Sequence, residues 1–291
     1  MDIRGHRASS RCTAFFVLLS TLILAGCTGG ANVQPVRAQH AVQAPDSFDH
    51  SGFARLLQTY VDDAGMVDYA AIQARQDSVL TPYLQQLAET DPSNLDRAGR
   101  LAFWINAYNA LTIKLIIDHY PVDSIKDITP AGGPSIPRLN APWFVKVGEV
   151  AGQMRTLDEI EHEIIRERFD EPRIHFALVC AAISCPQLRR EAFTGAQLDA
   201  QLDEQADLFL HNTAKNQIDA QGDTIELSRI FKWFEGDFGE STADLQRFLA
   251  PYFEGETRQQ LEAAAFRVEY LEYDWTLNDQ SADPSAAARD Q

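Results

Sequence analysis

The stretch "RLAFWINAYNALTIKLIIDHYP", residues 100–121, constrains the fold more than any other part of the chain. From Leu101 to Ile117 it is apolar at almost every position, and Pro121 ends it. A helix with a single apolar face can lie on a surface, but one that is apolar all round has to be enclosed by protein. The rest of the chain is therefore expected to wrap around this segment. A length of 291 residues supplies enough material for that.

The neighbouring patterns are mostly helical. "SFDHSGFARLLQTYV" begins with a serine in the N-cap role, and "GMVDYAAIQ" reads as an extended piece leading into the helix "SVLTPYLQQLAE". "TPAGGPSIPRLNAPW" is a long Pro- and Gly-rich loop, and "WFVKVGEVAGQM" reads as a hairpin. "TLDEIEHEIIRERF" carries a capping box, Thr156 with Glu159, and "TGAQLDAQLDEQADLFLHN" a second, Thr194 with Gln197. "NQIDAQGDTIELS" reads as a hairpin and "RIFKWFEGDFG" as a short aromatic helix and turn. The helices "STADLQRFLAPYF" and "RQQLEAAAF" then lead to a last strand in "RVEYLEYDW". Helices outnumber strands, so the expected class is α+β: a helix-rich single domain with a central buried helix on a small, mostly antiparallel sheet.

The N-terminus reads as a leader. "MDIRGHRASSRCTAFFVLLSTLILAGCTGG" has a basic start, a short apolar run and small residues before Cys27, and "LAGC" matches the bacterial lipobox. Residues 1–26 are thus expected to be a lipoprotein signal peptide and Cys27 the acylated residue. Residues 27–46 read as a flexible tether, 47–278 as the globular domain and 279–291 as a disordered tail. Thr28 is not the aspartate of inner-membrane retention, which favours the outer membrane. Without the leader's three arginines and one aspartate, 22 basic and 41 acidic residues remain, a net charge of −19. Such a surface excludes nucleic acid and anionic lipid headgroups as partners, so contact with the membrane would be through the lipid alone.

Polar residues at positions where the pattern wants apolar ones mark candidate chemistry. Asn106 and Asn109 share one face of the central helix, either orienting an imidazole or tying a loop to the core. In "LDEIEHEIIRERF" Glu161 projects between two apolar edges with His162 on the flank. Glu161 either pairs with Arg168 or bridges to a neighbouring strand; otherwise Glu161 or His162 faces a cleft and moves protons. "RIHFALVCAAISCPQL" holds His175, Cys180 and Cys185. Read as a strand, it turns His175 away from Cys180 and separates them by about 16 Å. Cys185 precedes Pro186 at an expected helix start, where the helix dipole would lower a thiol pKa, which makes it the better nucleophile. A Cys180–Cys185 disulfide competes with that reading. A zinc site is weaker for lack of ligand spacing, and Walker, dinucleotide, EF-hand and Gly-x-Ser-x-Gly motifs are absent from the sequence, so neither metal nor cofactor is expected.

In order, "FWINAYNALTIKLII", "TLDEIEHEIIRERF", "RIHFALVCAAISCPQL" and "YLEYDW" resemble the segments of domain-of-unknown-function family 547, over roughly Leu101 to Leu277. That family is similar to papain-like and transglutaminase-like cysteine enzymes. The resemblance implies a papain-like architecture with a thiol site on Cys185, Pro186, Cys180, Glu161 and His162. The leading expectation is a lipid-anchored periplasmic cysteine hydrolase or acyl transferase acting on a peptide-like amide. Cys185 would be the nucleophile, His162 the base, Glu161 or Asn106 its orienter, and His175 the rival base. The other expectation is a non-enzymatic envelope lipoprotein that binds a protein partner through the same cleft and holds a structural cysteine pair.

Overall fold

The computed structural model describes residues 47–129 and 141–282. The expected signal peptide, Cys27, the expected tether, residues 130–140 of the long loop and residues 283–291 lie outside the described residues. Residues 279–282, expected to begin a disordered tail, instead pack on the domain, with Asp279 buried and accepting from the Tyr120 hydroxyl at 2.7 Å and the Gln280 amide donating to Val67 at 3.0 Å. Three helices come first: α1 (Ser51–Tyr60), α2 (Tyr69–Val79), which Asp68 caps through the Ala71 amide at 2.9 Å, and α3 (Thr81–Glu89). Residues 69–73, expected to be extended, are thus the first turns of α2, and the expected helix over 78–89 begins as α3 only after a break at Leu80. Helix α1 has His50 rather than Ser47 at its N-cap and no side-chain cap.

Helix α4 (Arg97–His119) is the long apolar segment, and Asp96 caps it by accepting from the Gly99 amide at 2.6 Å. Every residue from Leu101 to Ile113 is buried, as a helix apolar on all sides requires. It forms the axis of an aliphatic core that takes in Leu57, Ile72, Leu87, Ile160, Ile164 and Val179. No helix among the described residues is long and apolar enough to cross a membrane.

Strands β1 (Gly148–Val150) and β2 (Gln153–Arg155) form the expected hairpin. Its two turn residues both have positive φ, Ala151 at 52° and Gly152 at 71°, as a tight two-residue hairpin turn needs. The turn amides donate to the Leu87 and Ala88 carbonyls at the end of α3, at 2.9 and 2.8 Å, satisfying acceptors that a helix end leaves over. The Thr156–Glu159 box forms in both directions, at 3.0 and 3.1 Å. The helix behind it has π geometry over Glu159–Ile165 and regains α geometry only at α5 (Arg166–Arg168).

After α6 (Leu198–Leu210) the chain builds a second core, mainly aromatic, from Phe176, Phe209, Phe231, Phe238 and Leu249. Its elements are β3 (Thr224–Leu227), α7 (Ile230–Trp233), α8 (Glu235–Phe238), α9 (Thr242–Leu249), α10 (Gly255–Glu262) and β4 (Arg267–Tyr270). The sheet expectation needs correcting here. Strand β3 pairs in parallel with β4, and the anticipated hairpin around it shrinks to one antiparallel bridge, Gln217 with Glu226. Two two-stranded ladders, one antiparallel and one parallel, replace a mostly antiparallel sheet. The α+β class holds. The Thr194–Gln197 box does not form, because the Thr194 amide donates to Gln201 instead, at 2.9 Å.

Candidate active site

The segment 172–186 runs between the two cores, and it is where the sequence reading fails most clearly. It is not a strand. Pro172–Phe176 winds as a 3-10 turn, a bend follows, and no helix begins at Pro186. Glu171 caps the turn through the Arg173 amide, and Arg173 is itself held by Glu171, Asp199 and Asp203. A strand needs ladder partners for its amides. Here only single bonds to other backbone and to side chains take their place.

Of the two central-helix amides, Asn109 supplies part of that need and Asn106 ties the chain farther on. Asn109 donates to the Ala177 carbonyl at 2.9 Å and accepts from the Val179 amide at 3.0 Å. Asn106 does the same for Phe193, at 2.7 and 3.0 Å. Each amide donates once and accepts once, in both cases with backbone, and no histidine is among the partners. Asn106 is therefore the loop tie and not the orienter of an imidazole. On the other side, residues 181–184 are pinned to the C-terminal segment: the Ile183 amide donates to Thr276 at 2.9 Å and the Ser184 amide to Asp274 at 3.2 Å. Between these anchors Ala181 sits at φ 58°, a left-handed conformation that costs a residue with a Cβ about 1–2 kcal/mol.

The turn brings His175 and both cysteines to one cleft of about 380 Å³. The expectation that His175 points away from Cys180 is thereby overturned, since it rested on strand alternation. Glu161, His162, Tyr108, Trp143, Trp233, Phe234, Tyr273 and Trp275 line the same cleft. Cys180 and Cys185 are joined as a disulfide, with Cα atoms 6.2 Å apart. Cys185 is 1% exposed and Cys180 half-buried. The Cys185 sulfur accepts from the Cys180 amide at 3.1 Å and the Tyr273 hydroxyl at 3.2 Å. The Lys215 ammonium donates to the Cys185 carbonyl, and burial brings its pKa down to about 8. The argument that a helix dipole activates Cys185 fails, because there is no helix at that place.

His175 is buried, stacks on Phe234 with ring centroids 4.0 Å apart, and hydrogen-bonds Asp237 through Nε2 at 2.7 Å. Burial holds its pKa below the ordinary histidine value against the pull of Asp237. Burial alone would raise Asp237, but the hydrogen bonds from His175 and Arg166 outweigh it and keep the carboxylate ionised well below the usual range. Arg166 grips Asp237 with two nitrogens, at 2.6 and 2.7 Å. His162 lies one layer out, partly exposed, with Nδ1 2.6 Å from Arg166. It supports the Arg166–Asp237 pair from the side.

Glu161 does not pair with Arg168, which is exposed. Its carboxyl is buried, and burial lifts its pKa to about 7 despite a hydrogen bond from Tyr108 and the nearby Arg166 charge. Trp143 hydrogen-bonds the Tyr108 hydroxyl in turn. The π geometry of Glu159–Ile165 is what places Glu161 and His162 together on the cleft side, a local irregularity often associated with functional positions. Among the described residues no group of three or more His, Cys, Asp or Glu side chains could hold a metal ion.

The geometry is a disulfide with one half-buried and one buried cysteine, an imidazole–carboxylate pair and a carboxyl whose pKa is raised to about 7, all in one aromatic-walled cleft. Residues 92–210 match the family model described as "Protein of unknown function, DUF547". Over these residues the chain is similar to that family. No curated protein and no solved structure matches the chain. The DUF547 match contains Tyr108, Glu161, His162, His175 and both cysteines. It ends before Asp237, Trp233, Tyr273 and Trp275, so residues on both sides of the DUF547 boundary build the cleft.

Sequence reasoning missed Asp237, Tyr108, Tyr273 and the three tryptophans. Tyr108 stood between the two noticed amides, and Tyr273 and Trp275 stood in "YLEYDW", read there as strand. Strand β4 ends at Tyr270, which leaves both of them on irregular chain facing the cleft. Asp237 in "EGDF" carried no signal at all.

Proposed function

We propose that this protein is a lipid-anchored envelope protein whose cleft, with its cysteines reduced, acts as a thiol hydrolase or acyl transferase on peptide-like amides. The observation that carries this reading is the His175–Asp237 pair at 2.7 Å in the cleft that holds both cysteine sulfurs. A thiol site needs a base kept uncharged near neutral pH and fixed in one tautomer. Burial keeps His175 uncharged, and Asp237 engages Nε2, which leaves Nδ1 to take a thiol proton. Cys180 is the sulfur a substrate can reach, so it takes the nucleophile's role from Cys185. Its thiolate adds to the amide carbonyl, and His175 returns the proton to the leaving amine. Glu161, protonated in about half the molecules at pH 7, is suited to donate to the carbonyl oxygen. The lipobox around Cys27 supports the anchor and the envelope location.

The test is acylation of pre-reduced protein by p-nitrophenyl acetate, read by peptide mass. Acetyl-Cys180 should form faster than acetylation of free cysteine at the same pH, and His175→Ala should slow it. A rate no better than that of free cysteine would reject the reading. For the anchor, the wild type should enter the detergent phase and Cys27→Ser should not; equal partition of the two would contradict it.

A second reading is a non-enzymatic binding module for an envelope protein. The Cys180–Cys185 disulfide favours it, since a bonded pair holds the cleft floor and leaves no thiol to react.

A further inference from the structure

The two sulfurs of the disulfide are not equivalent. Both residues line the cleft, but Cys180 is half-buried whereas Cys185 is only 1% exposed. The buried sulfur is also the one provided with donors, the Cys180 amide at 3.1 Å and the Tyr273 hydroxyl at 3.2 Å. Tyr273 stands 3.4 Å from the Cys180 sulfur as well, so its hydroxyl lies against both ends of the bond. Exposure of one sulfur and stabilisation of the other is the asymmetry that thiol–disulfide exchange requires. The attacked sulfur must be reachable, and the leaving sulfur departs faster the better its thiolate is held. A disulfide that only braces a fold needs neither feature.

We propose that Cys180–Cys185 is a thiol–disulfide exchange site: a small or peptidyl thiol attacks Cys180 from the cleft, and Cys185 leaves as a thiolate held by the Cys180 amide and the Tyr273 hydroxyl. In the first step the incoming thiol loses its proton to solvent. Its thiolate forms a bond to the Cys180 sulfur, the bond between the cysteines breaks, and the electron pair passes to Cys185. In the second step a further thiolate of the same class attacks the substrate sulfur of the mixed disulfide and releases Cys180. Two substrate thiols are oxidised to one disulfide, and the protein takes up the two electrons as a dithiol. The walls beside Cys180 are aromatic, with Trp233 and Trp275 stacked 5.6 Å apart and Tyr273 4.6 Å from Trp275. They suit a thiol on an apolar neighbour rather than on an anionic one, because Asp158 and Glu161 already contribute acid to the cleft. This activity starts from the oxidised protein and goes beyond the acyl-transfer reading. It can fail while acylation of the pre-reduced protein succeeds, and the reverse.

The test uses the mature, oxidised chain with 2-mercaptoethanol at pH 7.5, quenched with N-ethylmaleimide and read by peptide mass spectrometry. The expected product has mercaptoethanol on Cys180 and maleimide on Cys185. Tyr273→Phe keeps the ring and its stacking but removes one thiolate donor, so it should open about tenfold more slowly, the size of one hydrogen bond. Mercaptoethanol on Cys185, an unchanged rate in Tyr273→Phe, or a bond that opens only after urea is added would each overturn the proposal.

Discussion

Helix α4 and the segment 172–186 lie against each other and obey opposite rules. Helix α4 is regular, caps itself with Asp96, satisfies its own backbone and is buried by composition alone. The segment 172–186 has one 3-10 turn, a left-handed alanine and backbone groups that depend on side chains from elsewhere, chiefly Asn109. The first is a scaffold that any enclosed apolar helix could provide. The second presents His175, Cys180 and Cys185 to the cleft, in a shape it could not hold alone. The proposed chemistry sits on the part of the chain that is least able to fold by itself, and the scaffold contributes Asn109 to hold it in place.

That dependence can be broken directly, with the largest expected effect. Asn109→Ala strands the Ala177 carbonyl and the Val179 amide in the core and should lower unfolding free energy by about 4 kcal/mol. Urea denaturation measures it. A loss below about 1 kcal/mol would mean that the segment holds its own shape.

Glu161 sharpens the comparison through pH. Its folded pKa of about 7 lies above its ordinary value of 4.5, so the folded state favours the protonated form. Stability from this group is complete below pH 4.5 and is lost as pH rises through about 7, by about 3 kcal/mol in all. Glu161→Gln keeps the acceptor for Tyr108 without the charge. It should match wild type at pH 4.5 and exceed it by that amount at pH 8 in parallel denaturation curves.

The smallest effect belongs to the regular side. Thr156→Ala removes one arm of the capping box ahead of the π segment and should cost about 1 kcal/mol. Thermal unfolding should show the loss, with the thiol chemistry of the cleft unchanged.

The same contrast explains what was legible in the sequence. Periodicity reports regular elements, so α4, the β1–β2 hairpin, the Thr156–Glu159 box and the short aromatic helices could all be read from it. The buried Glu161 and the two amides could be found because each breaks a pattern. "RIHFALVC" misleads because a short apolar run looks the same whether its amides bond to a neighbouring strand or to an asparagine. From that single error followed the wrong direction for His175 and the wrong helix behind Cys185. Asp237 was beyond reach, since an aspartate in a short surface-like helix becomes an imidazole's partner only when the second core packs against the first.

The claim most in need of a direct test is that His175, held by Asp237, is the base of this cleft. The deciding measurement is the iodoacetamide alkylation rate of Cys180 in the reduced protein between pH 5 and 9, for wild type, His162→Ala and His175→Ala. The account predicts that His175→Ala slows alkylation near neutral pH several-fold, while His162→Ala stays close to wild type. A slowing confined to His162→Ala, or equal rates in all three proteins, would contradict it.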